Sequence, residues 1–156
     1  MSDRREFDFL VLGSGIAGLF YALRVAQHGS VGIVTKKRAA DSATNWAQGG
    51  IAAVMSADDT FESHARDTLE AGAGLCHPEV VNFVVERGPA MIDALTKLGT
   101  DFDPAGDQGG RLFDLGRAGG HSHRRILHHR DATGQEIERV LLARARAHPN
   151  IDLFEN

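Results

Sequence analysis

Apolar positions change their spacing several times along the chain, and each change marks an element. Residues 7–12 (FDFLVL) are short, β-prone and nearly all apolar, which predicts a buried parallel strand. Ile16, Leu19, Phe20, Leu23 and Ala26 then recur at helical spacing, with Gly29 as the stop. Residues 31–35 (VGIVT) read as a second strand. Residues 36–50 are polar and irregular, long enough for a connection to suggest function. A short strand is expected over 51–55. Asp59 and Glu62 resemble a capping box opening a helix over 60–71, ended by Gly72 and Gly74. Pro78 and Pro89 each suit a first helical turn, predicting two helices at 79–87 and 89–98, the second closed by Gly99. Residues 100–120 read as glycine-rich loop, Gly109 and Gly110 included, with a small strand at 113–115. Thr133 and Glu136 form a second capping-box pattern, with a helix to about residue 147 and a last strand over 151–154.

Strand, glycine turn, helix and strand at the start make a βαβ unit. The fold class expected is α/β: a Rossmann-like domain with a parallel sheet, cut short, and a helical insertion. The chain has 156 residues, 42% of them apolar, which suits one globular unit rather than a disordered chain. It ends inside its last strand, and three parallel strands would leave edges and faces uncovered. Residues 1–156 therefore read as the N-terminal part of a longer protein.

Charge and cysteine narrow the class. Lys plus Arg number 17 against 21 acids, a net charge of -4 that argues against non-specific nucleic-acid binding. The N-terminus lacks the apolar core of a signal peptide, and no apolar run near the start is long enough to span a membrane. A single cysteine, Cys76, excludes a disulfide framework and a multi-cysteine metal site, and reads as a buried small side chain. A reducing, cytoplasmic setting is expected.

The 18 glycines are well above a typical share of about 7%. Gly13, Ser14, Gly15, Ile16, Ala17 and Gly18 form G-x-G-x-x-G between a strand and a helix, the context of a dinucleotide fingerprint. Gly13 allows the turn, Gly15 lets pyrophosphate reach the backbone, and Gly18 lets helix and strand pack closely. The phosphates would rest on N–H groups at the helix N-terminus. No acid stands at the end of the second strand to grip an adenine ribose, so a simple NAD dehydrogenase is disfavoured. Lys36 stands there instead, either near phosphate or ribose oxygens or as a solvated loop lysine.

With GSGIAGL, a second strand ending in TK, and SATNWAQGGIAA, the chain resembles the succinate dehydrogenase/fumarate reductase flavoprotein superfamily. The segment RAGGHSHRRILHHRDATG, with AQGGIAAV, DTLEAGAGLC and HPNI, resembles its L-aspartate oxidase family. The resemblance spans essentially all of the chain. It implies FAD as cofactor, with Ala43, Thr44, Asn45, Trp46, Ala47, Gln48, Gly49 and Gly50 in a loop beside the flavin. Trp46 could pack on the cofactor or anchor the loop. It implies oxidation of L-aspartate to iminoaspartate, with O2 or fumarate reoxidising FAD and quinolinate synthase taking the product. The capping domain, helical C-terminal region and main catalytic residues would lie beyond Asn156. The alternatives are a soluble fumarate reductase or succinate dehydrogenase-like flavoprotein, or an inactive fragment.

Two positions depart from the family. Succinate dehydrogenases carry a flavin-linked histidine where Ala43 stands, so FAD would be non-covalent here. Aspartate oxidases commonly carry Glu where Ala118 stands, thought to orient the substrate ammonium. The cluster at 121–130 (HSHRRILHHR) has no Cys or acid at zinc-ligand spacing and no aromatic platform for nucleic acid. Anion binding suits it better, with His121 and Ser122 expected in the substrate loop. On an extended segment His121 and His123 would share one face, and Ser122 and Arg124 the other.

Overall fold

The computed structural model describes residues 4–106 and 113–156. The glycine-loop expectation at Gly109 and Gly110 lies outside the described residues. The chain forms two compact units: Met1–Ala47 with Gly134–Asn156, and Gln48–Thr133.

The first unit holds β1 (Phe9–Leu12), α1 (Ile16–Val25) and β2 (Val31–Thr35), then most of α4 (Thr133–Arg146) and β6 (Ile151–Glu155). Its sheet is parallel in the order β1-β2-β6, with Phe9 opposite Val31 and Val31 opposite Ile151. The three strands and their helices fall where apolar spacing put them. β1 is not the fully buried strand expected. It is an edge of this sheet, and Val11 is buried while Leu10 and Leu12 are 64% and 78% exposed. α1 stops at Val25 with Ala26 as its cap, ahead of Gly29. Gly29 has another reason to be glycine: a Cβ there would lie 2.6 Å from Asp8 Oδ2. Leu19, Ala22, Val31, Ile33, Leu141 and Ala145 make the core of this unit.

The second unit is α2 (Phe61–Ala71) and α3 (Pro78–Leu98) with a small antiparallel sheet ordered β3-β5-β4. Its strands are β3 (Ile51–Ala52), β4 (Leu115–Gly116) and β5 (Ile126–Leu127). The helical insertion is thus present with a sheet of its own. β5 was missed because two apolar residues inside a basic run carry no periodic signal. The strand expected at 113–115 is an isolated bridge from Phe113 to Pro104, followed by β4.

Two expected helices are one. α3 runs through Pro89, whose missing N–H removes one backbone bond. Val85, Ile92 and Leu95 are buried on both sides of it, and that packing holds the helix together. Gly99, at φ 111°, ends it in the left-handed conformation. The cap of α2 is Thr60, whose hydroxyl accepts from Ser63 N at 3.1 Å. Asp59 does not cap this helix through Glu62; its carboxylate is committed elsewhere. At the head of α4 the Thr133 hydroxyl accepts from His129 N at 3.0 Å. Among the described residues no helix is long and apolar enough to cross a membrane.

Candidate functional site

The turn between β1 and α1 opens a cleft of about 570 Å³ in the first unit. Gly13, Ser14, Gly15, Lys36, Ala43 and Thr44 are among its lining residues. Gly13 sits at φ 100°, a conformation that suits glycine alone. A Cβ on Gly18 would lie 2.2 Å from the Gly13 carbonyl oxygen, so only glycine lets α1 approach the turn. A Cβ on Gly15 would meet Thr44 Oγ1 at 3.2 Å. The bare backbone at Gly13 and Gly15 is the cradle that a pyrophosphate requires, so the residues fit a dinucleotide.

The loop after β2 completes one wall. Thr44 Oγ1 accepts from Ile16 N at 3.0 Å, so one leading N–H of α1 is already taken. Ser14 Oγ donates to the Ala39 carbonyl at 2.8 Å, tying the turn to the same loop. Gly134 packs against that loop from α4: its N–H donates to Ala47 O at 3.0 Å, and a Cβ would come within 1.9 Å of Thr44 O. Lys36 is exposed on the cleft wall. Asn45 N donates to Ser42 Oγ at 3.3 Å. Trp46 is 73% exposed. The Lys37 ammonium chiefly, with Trp46, holds the Asp41 carboxyl below its ordinary value. Ala17 lies within α1. Gln48, Gly49 and Gly50 belong to the second unit, where a Cβ on Gly50 would come 2.0 Å from Leu127 O.

Glu138 is the residue of this unit that sequence reading missed. It is buried on α4 with neither carboxyl oxygen hydrogen-bonded in full geometry. Burial pushes its pKa up to about 7, the nearby Ser42 hydroxyl offsetting part of the rise. The folded chain therefore keeps a proton that the unfolded chain releases near the ordinary value of 4.5. This carboxyl's contribution to stability is fullest below pH 4.5 and falls as pH rises to about 7. Glu138→Gln should remove up to about 3 kcal/mol of that fall. Urea unfolding at pH 5 and pH 8 checks it: the variant should gain on wild type at pH 8 and match it at the lower pH.

In the second unit the basic segment is organised around Arg125, which is fully buried. Its Nε and Nη2 donate to the two Asp59 oxygens at 2.7 and 2.8 Å, and Nη1 donates to Asp67 Oδ2 at 2.7 Å. Asp67 Oδ2 also accepts from Ser122 N and Ser122 Oγ at 2.7 and 2.8 Å. Burial alone would raise the Asp67 carboxyl, but Ser122 and Arg125 outweigh it and bring it to about 2. His121 and Ser122 both join this cluster, because the backbone bends at 122–123 and the expected strand-like alternation fails. His64 is buried beside it, its ring centroid 5.7 Å from that of His121. Burial first, then Arg125, lowers the His64 pKa. Asp59, His64 and Asp67 were not expected here; their spacing on and before one helix resembles any polar helix face. Cys76 is half-buried rather than buried, its thiol directed to Thr68 O at 3.7 Å.

A parallel βαβ with a glycine turn and a phosphate-sized cradle defines a Rossmann-type dinucleotide-binding unit. The model of the family described as FAD binding domain matches residues 8–156, and the chain belongs to that family, whose cofactor is FAD. It is 53% identical to L-aspartate oxidase 2-b, chloroplastic, of Nicotiana tabacum over 99% of this chain and 24% of that protein. It is 45% identical to L-aspartate oxidase of Pseudomonas aeruginosa over 99% of this chain and 29% of that one. Among solved structures it is similar to an E. coli quinol fumarate reductase, with 30% identity and a TM-score of 0.88 over 96% of this chain and 26% of that one. The chain thus spans about a quarter of the length of the curated relatives it matches.

Proposed function

We propose that the chain is the N-terminal FAD-binding part of an L-aspartate oxidase, a longer flavoenzyme that converts L-aspartate to iminoaspartate. The observation that carries this reading is the Gly13–Gly18 turn opening on the Ser42–Thr44 loop, in a chain about half identical to L-aspartate oxidases. FAD, when bound, would supply the two-electron acceptor for this oxidation, with O2 or fumarate as the final acceptor. Within the Gly13–Gly18 turn, Gly13, Ser14 and Gly15 would hold its pyrophosphate at the head of α1, where Ala17 lies; Ile16, its N–H bonded to Thr44, and Gly18, packed on Gly13, would shape that turn, and Lys36 would meet phosphate or ribose oxygens. Ala43, Thr44, Asn45, Trp46, Ala47, Gln48, Gly49 and Gly50 would be the loop residues beside the cofactor. Ala43 has no nucleophile, so the cofactor is held without a covalent bond at this position. His121 and Ser122 belong to the substrate loop, and the remaining catalytic residues lie in later segments. The product goes to quinolinate synthase, and the setting is cytoplasmic.

Turnover by the full-length protein tests this. Hydrogen peroxide formation from L-aspartate, or fumarate consumption coupled to it, is expected. Fumarate reduction by an artificial donor, with no oxidation of aspartate, would instead favour a soluble fumarate reductase. Ala118 favours that second reading, since it offers no carboxylate to a substrate ammonium. Ala118→Glu should lower KM for L-aspartate by about 1–3 kcal/mol in binding terms, the range for hydrogen bonds to charged groups. Its effect on succinate, which has no ammonium, should be much smaller. Equal effects on both would mean that residue 118 acts on loop shape.

A further inference from the structure

Arg125 has five N–H donors and no acceptor. Four of them go to Asp59, Asp67 and Ser63: Nε and one Nη2 hydrogen to Asp59, one Nη1 hydrogen to Asp67, and the other Nη2 hydrogen to Ser63 Oγ at 3.4 Å. The fifth lies on Nη1, whose remaining neighbour is His121 Nδ1 at 3.2 Å. An arginine can only donate, so Nδ1 must present its lone pair. The neutral His121 ring therefore carries its proton on Nε2. The opposite tautomer would set two N–H groups against each other and leave a donor of a fully buried guanidinium without a partner, a costly arrangement.

The backbone around this ring is held as well. His121 N donates to Ala118 O at 3.3 Å, and Arg117 Nε donates to His121 O at 2.9 Å. Ser122 is fastened to Asp67 through both its N–H and its hydroxyl. His121 is half-buried as a residue, and its Nδ1 lies on the fully buried Arg125. Arg117, bonded to the His121 carbonyl, is an exposed cation, a setting that attracts an anion.

We propose that Arg125 is a positioning residue that holds His121 in the Nε2–H tautomer, and that this N–H is the donor the loop offers to a carboxylate of a dicarboxylate ligand. The ligand class rests on the L-aspartate reading above; the tautomer does not. Aspartate carries both a donor-seeking carboxylate and an ammonium. Succinate shares only the carboxylates and isolates the contact in question.

Two measurements on the FAD-loaded full-length protein at pH 8 decide it. In a proton–nitrogen correlation spectrum, the His121 ring should show an unprotonated Nδ1 and a protonated Nε2, assigned by its loss in His121→Gln. Arg125→Lys keeps the charge against Asp59 and Asp67 but lacks the fork, and should let the second tautomer appear. Succinate affinity, read by calorimetry, should separate two conservative variants. The amide of Gln reaches the place of Nε2, whereas that of Asn reaches only the place of Nδ1. His121→Gln should bind succinate within about threefold of wild type, and His121→Asn about tenfold more weakly, the effect of one hydrogen bond to a charged group. A wild-type ring protonated on Nδ1, or equal affinities in the Gln and Asn variants, would overturn the inference. Failure to oxidise L-aspartate, with tautomer and the Gln/Asn difference intact, would sink the substrate reading alone.

Discussion

Arg125→Met is expected to destabilise the protein by about 3–5 kcal/mol, the usual cost of breaking a buried ion pair by removing one partner. The reason is the charge left behind. Arg125 is completely buried, as is the Asp59 side chain, and the Asp67 side chain is 10% exposed. Without the guanidinium, two buried carboxylates would be left with no counter-charge, held by neutral donors such as Thr60 N on Asp59 and Ser122 on Asp67. One or both would have to take up a proton at neutral pH. The loss should therefore shrink as pH falls toward the carboxylate range. Urea unfolding from pH 4 to pH 8 measures it. Adding Asp59→Asn and Asp67→Asn to Arg125→Met should recover much of the loss, since no net charge is then buried. A loss that persists undiminished in the triple variant would mean that packing by the guanidinium, rather than its charge, holds this unit together.

Gly15→Val should abolish flavin binding while leaving the fold in place. A valine at this position projects branched carbons over the bare backbone that lines the cleft. Its Cβ also presses on Thr44 Oγ1 at 3.2 Å, a contact the loop can relieve by moving a few tenths of an ångström. The φ of -73° is ordinary for valine, so backbone strain adds nothing. FAD affinity should fall by at least about a hundredfold, the loss of two or more charge-assisted hydrogen bonds at about 1.5–3 kcal/mol each. Stability of the flavin-free protein should change by about 1–2 kcal/mol at most, within the ordinary range for single substitutions. Flavin absorbance of the purified variant against wild type reads the first effect, and urea unfolding of the stripped proteins the second. Full flavin content in Gly15→Val would remove the fingerprint reading.

The dinucleotide turn was legible because its chemistry is local. Gly13 must adopt a positive φ, and Gly15 and Gly18 must lack a side chain, so each requirement is met by one residue type at one spacing. The flanking strand and helix announce themselves through apolar period alone, and these elements came out within a few residues. Loop residues were less legible. Trp46 and Ala43 could be placed in a loop, but whether a side chain is exposed or packed depends on what the rest of the chain brings to it.

What the amino-acid sequence by itself determined is the βαβ unit, the glycine turn and the helix end at Gly99. These follow from backbone sterics, period and residue chemistry within about a dozen neighbours. Tertiary structure alone decided the rest. Pro89 reads as a helix start, yet Val85, Ile92 and Leu95 bury one face across it and keep α3 whole. Glu138 sits at an apolar-facing position of α4, and only its burial reveals a carboxyl that keeps its proton near neutral pH. Asp59, Asp67 and Arg125 are separated by up to 66 residues, and nothing in their local spacing announces a pairing. A buried charge must find its counter-charge through space, so the residues that hold His121 in place become visible only once the chain has folded.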